Sequence, residues 1–497
     1  MGVVIKQSFW GTFIAYLGVV LGYVNTLYFR AAYFSLEQIG LFTLITANAM
    51  MVSPISSFGA GSSYMKYFPS FDEEKKHRLF SFLFLVCVIG NGIILLVGYL
   101  LKDSIALRYV DTAPIYIDFL FVTGIVIVSN SFFDLFFNYS RSVLRVVVPS
   151  FLRDIYLRLG SFFLVIGYSL TWWNFDKAVI GLGIVYFSSF VVLFFQLIIR
   201  HAFHFDFRLE SINTSWKKKL FEFGVYSMML AGSFAVINNI SYDQITAVLG
   251  SDMTGIFTTC FFIGVVVEMP KRNMAKVLIP LISKASKEND SQAIKAIYQR
   301  SSITMSIIGI LFTIGIITNL QDLFDFIPKG SAFQAGFWVA VFVCLAKLTL
   351  MISSFSGEII NFSHLYKYNL YFQVLAAFML VILNYFLIPI WGINGAGFSY
   401  VITMIFHTAL KTGFVQYHFK ISPLINSHLF LFIVSGATFA LAFFFKPAFH
   451  PLINIGIRSM LITGVFVVLV YRFRISADIN NLIHSTFERF LKIKLPK

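Results

Sequence analysis

The sequence predicts an all-α polytopic membrane protein with about fourteen transmembrane helices. Of its 497 residues 58% are hydrophobic and only 12% are charged, and 60 are phenylalanine, which is more apolar material than one soluble core can bury. Apolar runs of about 20 residues, the length that crosses a bilayer as a helix, recur along the whole chain. The runs are continuous, whereas strands of a transmembrane barrel alternate in polarity, so helices are predicted throughout.

Fourteen runs qualify as spans. The first has no small-residue cleavage site, so we expect it to remain as a span and not to be removed as a signal peptide. Cys87, Cys260 and Cys344 all fall inside spans, where thiols act as small buried hydrophobes, and no disulfide framework is predicted. The predicted spans are residues 9–29, 38–60, 79–101, 114–139, 154–173, 178–199, 220–240, 252–270, 301–320, 334–355, 368–390, 394–414, 424–445 and 453–471.

The basic residues predict the topology. With the N-terminus placed inside, inner segments hold 29 of the 38 Lys and Arg residues, and outer loops hold six. Because basic residues concentrate on the cytoplasmic side, we expect both termini to be cytoplasmic and the number of spans to be even. The net charge of +15 is then explained by topology, and no nucleic-acid partner is predicted.

Two parts of the chain resemble each other at a separation of about 215 residues. Residues 38–43 at the start of the second span match residues 253–258 at the start of the eighth, and Pro54 matches Pro270. Six spans separate the partners, so the halves run in the same direction, as parallel repeats of transporters do. The sequence therefore predicts an N-terminal six-helix lobe at 1–200, a second at 201–415 around a central cavity, and two additional transmembrane helices at 416–475.

The remaining segment, 476–497, is predicted to be a cytoplasmic amphipathic tail. Its apolar residues fall on one helical face beside several basic residues, as in helices that lie on an anionic membrane surface; the alternative is a solvated tail. The outer loops are at most about 13 residues long by these span limits, which leaves no room for an outer domain.

Four segments resemble a known family. They are the glycine-rich residues 58–69, the loop residues 279–283, Ser356-Gly357 with Asn361 and His364, and the junction at 387–397. These segments are similar to those of the polysaccharide-transporter branch of the multidrug/oligosaccharidyl-lipid/polysaccharide exporter superfamily, which includes O-antigen and capsule-unit flippases. The resemblance extends from about residue 5 to 415.

The resemblance implies a flippase for surface polysaccharide biosynthesis. Its substrate would be an undecaprenyl-pyrophosphate-linked oligosaccharide that moves from the inner to the outer leaflet of a bacterial inner membrane by alternating access. Membrane lipids would surround the protein, and a polysaccharide polymerase and glycosyltransferases are further candidate partners. No cofactor is implied.

Charged groups inside spans are the candidates for substrate binding, because each is costly in hydrocarbon. Lys347 lies in the middle of the tenth span, and Ser354 and Glu358 are predicted on nearly the same helical face. Lys347 is predicted to bind the pyrophosphate; the alternative is a structural lysine that pairs with Asp134 or reaches the interface. Arg30 and Arg158 carry guanidinium groups suited to phosphate, although arginines near span ends also serve as anchors.

Carboxylates and amides form a second group. Asp134, with Asn130 and Asn138 four residues to either side, forms a polar stripe suited to sugar hydroxyls or a coupling cation, or to hydrogen bonding between helices. Asp134, Asp243 and Glu358 are the candidates for coupling-ion binding.

The inner end of the eighth span combines a carboxylate with a proline. Glu268 lies near Lys271 and Arg272, so an ion pair at the inner end is expected there. Pro270 and its counterpart Pro54 remove backbone donors, so they are candidates for gating as well as for static kinks. No group of His or Cys residues predicts a metal site.

Rival functions remain open at this stage. A cation-coupled multidrug antiporter would use embedded carboxylates such as Asp134 and Asp243. A peptidoglycan lipid II flippase would differ only in the head group of its substrate. An enzyme is not predicted, because the loops carry no Asp-x-Asp pair, phosphate-binding glycine loop or nucleophile elbow.

Overall fold

The computed structural model describes residues 17–199, 204–208 and 213–481, with the side chains of residues 73 and 74 left out. Within these ranges the chain is helical and contains no β-strand. The helices are α1 at 17–23, α2 Leu36–Ser56, α3 Ala60–Tyr67, α4 Glu73–Leu100, α5 Lys102–Tyr109, α6 Pro114–Asp118, α7 Leu120–Ser142, α8 Val147–Phe151, α9 Leu157–Ser169, α10 Phe175–Ile199, α11 Thr214–Leu249, α12 Ser251–Val265, α13 Met269–Lys287, α14 Ser291–Phe326, α15 Gly330–Phe333, α16 Phe337–Ile352, α17 Ser356–Asn361, α18 Lys367–Phe419, α19 Ser427–Phe444 and α20 Pro451–Arg472.

Eleven helical segments in the described ranges are long and apolar enough to cross a membrane. The longest, α18, bends at Gly392, which has φ 59° and ψ −141°, and its two halves correspond to the predicted spans 368–390 and 394–414. The described part of the predicted first span, residues 17–29, and most of the predicted fifth span are also helical, with π-helical stretches at Val24–Arg30 and Leu152–Tyr156. The predicted all-α polytopic fold with about fourteen transmembrane helices is therefore confirmed.

The chain divides into two compact units. The first extends to Thr258 and includes Val381–Ile393, and the second comprises Thr259–Leu380 and the chain from Asn394 onward. The predicted lobes 1–200 and 201–415 remain a prediction. The predicted amphipathic tail lies largely outside the described residues, which end at residue 481.

Aromatic packing holds the first unit together. Tyr64, Phe80, Phe136 and Tyr139 are almost fully buried, and Tyr64 stacks on Tyr139 with ring centroids 5.3 Å apart. This cluster joins α3, α4 and α7. Each large ring buries much apolar area, and aromatic pairs add a geometric preference to it, so the helices are fixed in register.

In the second unit, a buried ion pair attaches the last helix. Arg458 of α20 approaches Asp322 of α14 to 2.6 Å and also donates to the backbone oxygens of Thr318 and Phe445. Asn319 Oδ1 is a fourth acceptor, and one side chain can satisfy all four because a guanidinium has several donors in a rigid fork. The intramembrane Arg458 is thus a structural residue that fastens α20 to α14.

Candidate functional site

Arg30 projects from the π-helical end of the first helix. Its Nη2 donates to Ser161 Oγ at 2.6 Å, and Asn25 Nδ2 donates to the same oxygen at 3.3 Å. The Arg30 Nε is buried and has no hydrogen-bond partner among the described residues. A π-helix widens the turn and re-aims side chains, and such stretches are frequent at functional sites. Arg30 therefore keeps donor capacity for an anion.

Arg158 lies on α9, directly after the second π-helical stretch. Gly18 and Gly22 of the first helix face this segment: a Cβ at Gly22 would lie 3.3 Å from the Arg158 guanidinium, and one at Gly18 would overlap the Asp154 carbonyl. The glycines thus let the two helices approach closely.

The two arginines belong to one cluster. The buried Tyr186 of α10 lies close enough to both Arg30 and Arg158 to interact with them electrostatically. The structure therefore brings together two basic residues that lie 128 positions apart in the sequence. Together with Ser161 and Asn25 they form a basic, hydrogen-bonding cluster in the first unit, which we call the arginine cluster.

Of the three residues in the predicted polar stripe on α7, Asn138 and Asp134 are hydrogen-bonded to each other. Asn138 Nδ2 donates to Asp134, at 2.9 Å to its backbone oxygen and 3.2 Å to Oδ2. The Asn130 Nδ2 is buried without a hydrogen-bond partner among the described residues. Gly61 of α3 packs on this stripe, since a Cβ there would lie 2.7 Å from Asn138 Nδ2. Asp134 is exposed, and Arg141 and Arg153 lie within its electrostatic reach.

Lys347 lies in the second unit and is buried, with 3% of its surface exposed. Its Nζ is 2.7 Å from Glu268 Oε2, and it lies 5.5 Å from the centre of the Tyr400 ring. The sequence predicts an ion pair of Glu268 with Lys271 and Arg272, but Arg272 is 4.0 Å away and the closer partner is Lys347. In this conformation the positive charge of Lys347 is matched by Glu268 and not, as one sequence-based alternative had it, by Asp134.

Glu358 does not share a helical face with Lys347. The helix α16 ends at Ile352, and Ser354 adopts φ 49° before α17 begins at Ser356. The expectation of one continuous face from Lys347 to Glu358 is therefore wrong, because a left-handed residue redirects the chain between them. Glu358 lies instead within electrostatic reach of Lys411 on α18.

Asp243 sits near the C-terminal end of α11 and already has two partners. Arg108 and Tyr109 at the end of α5 both donate to its carboxylate. This cluster joins the segment after α4 to α11 and occupies both Asp243 oxygens. This pairing is not evident from the sequence, because Arg108 lies 135 residues before Asp243 in a segment that is predicted to be an outer loop.

The two candidate gating prolines lie where their helices change geometry. Pro54 stands near the end of α2, just before a turn in which Phe58 and Gly59 have φ 50° and 64°. Pro270 follows a 3₁₀ turn, Val266–Glu268, at the start of α13. Proline has no backbone N–H to donate a helical hydrogen bond, which is consistent with the change of helix geometry near each proline.

The glycines of the internal repeat make a contact that the sequence does not predict. A Cβ at Gly40 would overlap the carbonyl of Ser251, and a Cβ at Gly255 would overlap the carbonyl of Leu36. Both pairs of related positions, Gly40 with Gly255 and Leu36 with Ser251, are 215 residues apart. The N-terminal ends of α2 and α12 therefore touch through equivalent residues, an arrangement expected of two repeats related by a twofold axis.

Comparisons with known proteins agree with this architecture. No protein-family model and no curated protein sequence matches the chain. Among solved structures, it is similar to the lipid II flippase MurJ in an inward closed conformation, with a TM-score of 0.78 and 12% identity over 93% of this chain and 98% of MurJ.

Multidrug transporters are similar at lower scores. An inward-facing multidrug resistance MATE family transporter of the MOP superfamily gives a TM-score of 0.64 with 14% identity, covering 82% of this chain and 94% of the other. A mutant of the Vibrio cholerae MATE transporter VcmN gives 0.58 with 13% identity, covering 84% and 98%. The chain is thus a multi-pass membrane protein with the fold found in the flippase MurJ and in MATE transporters of the MOP superfamily.

Proposed function

We propose that this protein is a flippase for a lipid-linked oligosaccharide. It moves an undecaprenyl-pyrophosphate-linked sugar unit from the inner to the outer leaflet of a bacterial inner membrane by alternating access, with both termini in the cytoplasm. The product would supply surface polysaccharide biosynthesis, with glycosyltransferases acting before it and a polymerase after it. The fold of flippases and transporters supports the general activity, and the charges described above support the class of substrate.

The observation that carries the proposal is the arginine cluster. Moving a prenyl-pyrophosphate head group through hydrocarbon requires cationic donors, and a guanidinium offers a planar fork that fits phosphate oxygens. Arg30 retains a buried donor without a partner among the described residues, and Arg158 lies in the same cluster. We assign the pyrophosphate to these two arginines and the sugar hydroxyls to Asn130, Asp134 and Asn138.

The carboxylates argue against an organic cation as the substrate. Binding such a cation needs an acidic group whose charge is available, yet Asp243 is paired with Arg108 and Glu268 is paired with Lys347. Asp134 and Glu358 remain candidates for a coupling proton or sodium ion. The paired carboxylates and the unpartnered Arg30 donor among the described residues support an anionic substrate, and Asp134 and Glu358 are the carboxylates that the multidrug antiporter alternative would use.

A lipid II flippase is the second candidate, favoured by the similarity to MurJ over almost the full length of both chains. Lipid II and a lipid-linked oligosaccharide share the prenyl-pyrophosphate, so the arginine cluster suits both. They differ in the sugar or sugar-peptide head group.

One experiment separates the candidates. Lipid extracts of a strain that lacks the gene are examined by mass spectrometry, before and after complementation. We expect a prenyl-pyrophosphate oligosaccharide to accumulate and to disappear on complementation, and its mass identifies the head group. Accumulation of lipid II would favour the second candidate. Normal lipids together with sensitivity to cationic dyes would overturn the proposal in favour of the antiporter.

A further inference from the structure

A large apolar groove lies on the first unit, away from the arginine cluster. Its volume is about 760 Å³, within the range of about 300–1,000 Å³ that is typical of ligand sites. The wall is formed by Ile55 and Phe58 around the end of α2, Ile89 and Ile93 of α4, and Phe221 of α11. Ile89, Ile93 and Phe221 each expose more than half of their surface. In a membrane such a groove faces lipid.

The depth of the groove corresponds to one leaflet. Along α11 it extends from Thr214 and Lys217 to Met228. The eleven residue-to-residue steps from Lys217 to Met228 rise by roughly 16 Å at 1.5 Å per residue. The hydrocarbon core of a bilayer is roughly 30 Å thick, so the groove reaches about its midplane. Acyl chains of a single leaflet match this length.

One end of the groove is strongly positive. Lys217 and Lys218 line it, near the start of α11, and no acidic residue lies in the first turn of that helix. The N-terminus of a helix already carries a partial positive charge, so the two lysines add to it instead of balancing it. Glu222 is 4.0 Å from Lys218, but both side chains are highly exposed and such pairs are weak. Because basic residues of membrane proteins concentrate on the cytoplasmic side, we expect this end of the groove to be cytoplasmic.

The groove also adjoins the break in the second span. Phe58 has φ 50°, and its ring lies 5.4 Å from that of Phe221. Gly224 faces Phe58, since a Cβ at that glycine would lie 3.0 Å from the phenyl ring. A molecule in the groove would therefore touch both α11 and the junction between α2 and α3, and would hold them together.

We propose that this groove is a binding site for a diacyl phospholipid of the inner leaflet with an anionic head group. The acyl chains lie along α4 and α11, and the phosphate lies between Lys217, Lys218 and the start of α11. The site is separate from the substrate path proposed above, and it does not depend on which head group the protein transports.

The test uses the full-length protein in detergent and native mass spectrometry with phosphatidylglycerol or phosphatidylcholine of the same acyl chains. Lys217→Gln/Lys218→Gln removes the charge, and Ile89→Trp fills the groove. The matched controls are Lys284→Gln/Lys287→Gln, two exposed lysines on α13, and Leu96→Trp, an equally exposed position on α4 outside the groove. Ile93→Trp replaces Ile89→Trp if the latter does not yield folded protein.

We expect the wild type to prefer phosphatidylglycerol. A lysine near a membrane surface strengthens the binding of an anionic lipid about fivefold. The preference of Lys217→Gln/Lys218→Gln for phosphatidylglycerol over phosphatidylcholine should therefore be on the order of 25-fold weaker than that of the wild type. The tryptophan variant should bind fewer molecules of both lipids, and the controls should match the wild type. An unchanged preference in Lys217→Gln/Lys218→Gln, or unchanged binding in both tryptophan variants, would overturn the proposal. So would displacement of phosphatidylglycerol by an equal amount of undecaprenyl phosphate, since the occupant would then be a prenyl lipid.

Discussion

The two units each hold a basic centre, and the two centres differ in what surrounds the charge. In the second unit Lys347 lies 2.7 Å from Glu268, so the pair is nearly neutral and buried. In the first unit Arg30 bonds to a neutral serine and leaves one buried donor without a partner among the described residues. A buried charge with its counter-charge in place is satisfied within the fold, whereas a cation with spare donors is suited to a ligand. The comparison separates a structural role from a binding role.

The largest effect is expected from breaking the matched pair. Glu268→Gln leaves a buried lysine without its counter-charge, which typically costs about 3–5 kcal/mol of stability. Lys347→Met leaves the Glu268 carboxylate without its counter-charge and should also destabilise the protein. Glu268→Met/Lys347→Met removes both charges and should recover most of the stability. Thermal unfolding of the purified variants measures this.

Transport by the same double variant decides the role of Lys347. If Lys347 binds the pyrophosphate, as the sequence predicts, Lys347→Ala should insert normally and lose transport. If the stable Glu268→Met/Lys347→Met protein transports at the wild-type rate, Lys347 is structural and that prediction is wrong. If it folds but does not transport, a role in binding the substrate is supported.

The second effect concerns the unmatched arginine. Arg30→Ala should lower transport by on the order of 30- to 1,000-fold, because removing a desolvated charge contact typically costs about 2–4 kcal/mol. Flipping in proteoliposomes, with the substrate identified by mass spectrometry, measures it. Arg30→Lys should be intermediate, since it keeps the charge but not the fork. Lys102→Ala, at an exposed lysine of α5, serves as the control. Full transport by Arg30→Ala would show that the arginine cluster does not bind the pyrophosphate.

The third effect tests the contact between the repeats. Gly40→Ala and Gly255→Ala each place a methyl group against a carbonyl of the opposite helix. Overpacking of this kind costs about 1–3 kcal/mol, and because the two contacts are equivalent the two variants should be destabilised to a similar degree. Thermal unfolding measures both, with Gly98→Ala on α4, where no atom would lie within 4 Å of the new methyl, as the control. Very unequal effects would contradict the twofold relation.

The sequence predicted the helical fold because long apolar runs are local signals. The repeat lobes at 1–200 and 201–415 remain a prediction, and the sequence did not indicate that Gly40 and Gly255 face each other's helices. The sequence did not predict which charged residues pair. Glu268 pairs with Lys347, Asp243 with Arg108 and Asp322 with Arg458, because helix packing joins partners that are 79 to 136 positions apart. The helix break at Ser354 was also missed, because neither proline nor glycine stands at the left-handed position.

The smallest effect is expected from a third ion pair, which lies in the first unit. The Arg108 side chain is 50% exposed, so water screens its pair with Asp243 far more than the pair of Lys347 with Glu268. Arg108→Gln should therefore cost at most about 1 kcal/mol, and the difference from the wild type should shrink between about 0.05 M and about 0.5 M salt. Thermal unfolding at the two salt concentrations measures it. A loss as large as that of Glu268→Gln, and independent of salt, would mean that Asp243 is as strongly desolvated as Glu268, and this pair would then belong with the matched, structural charges.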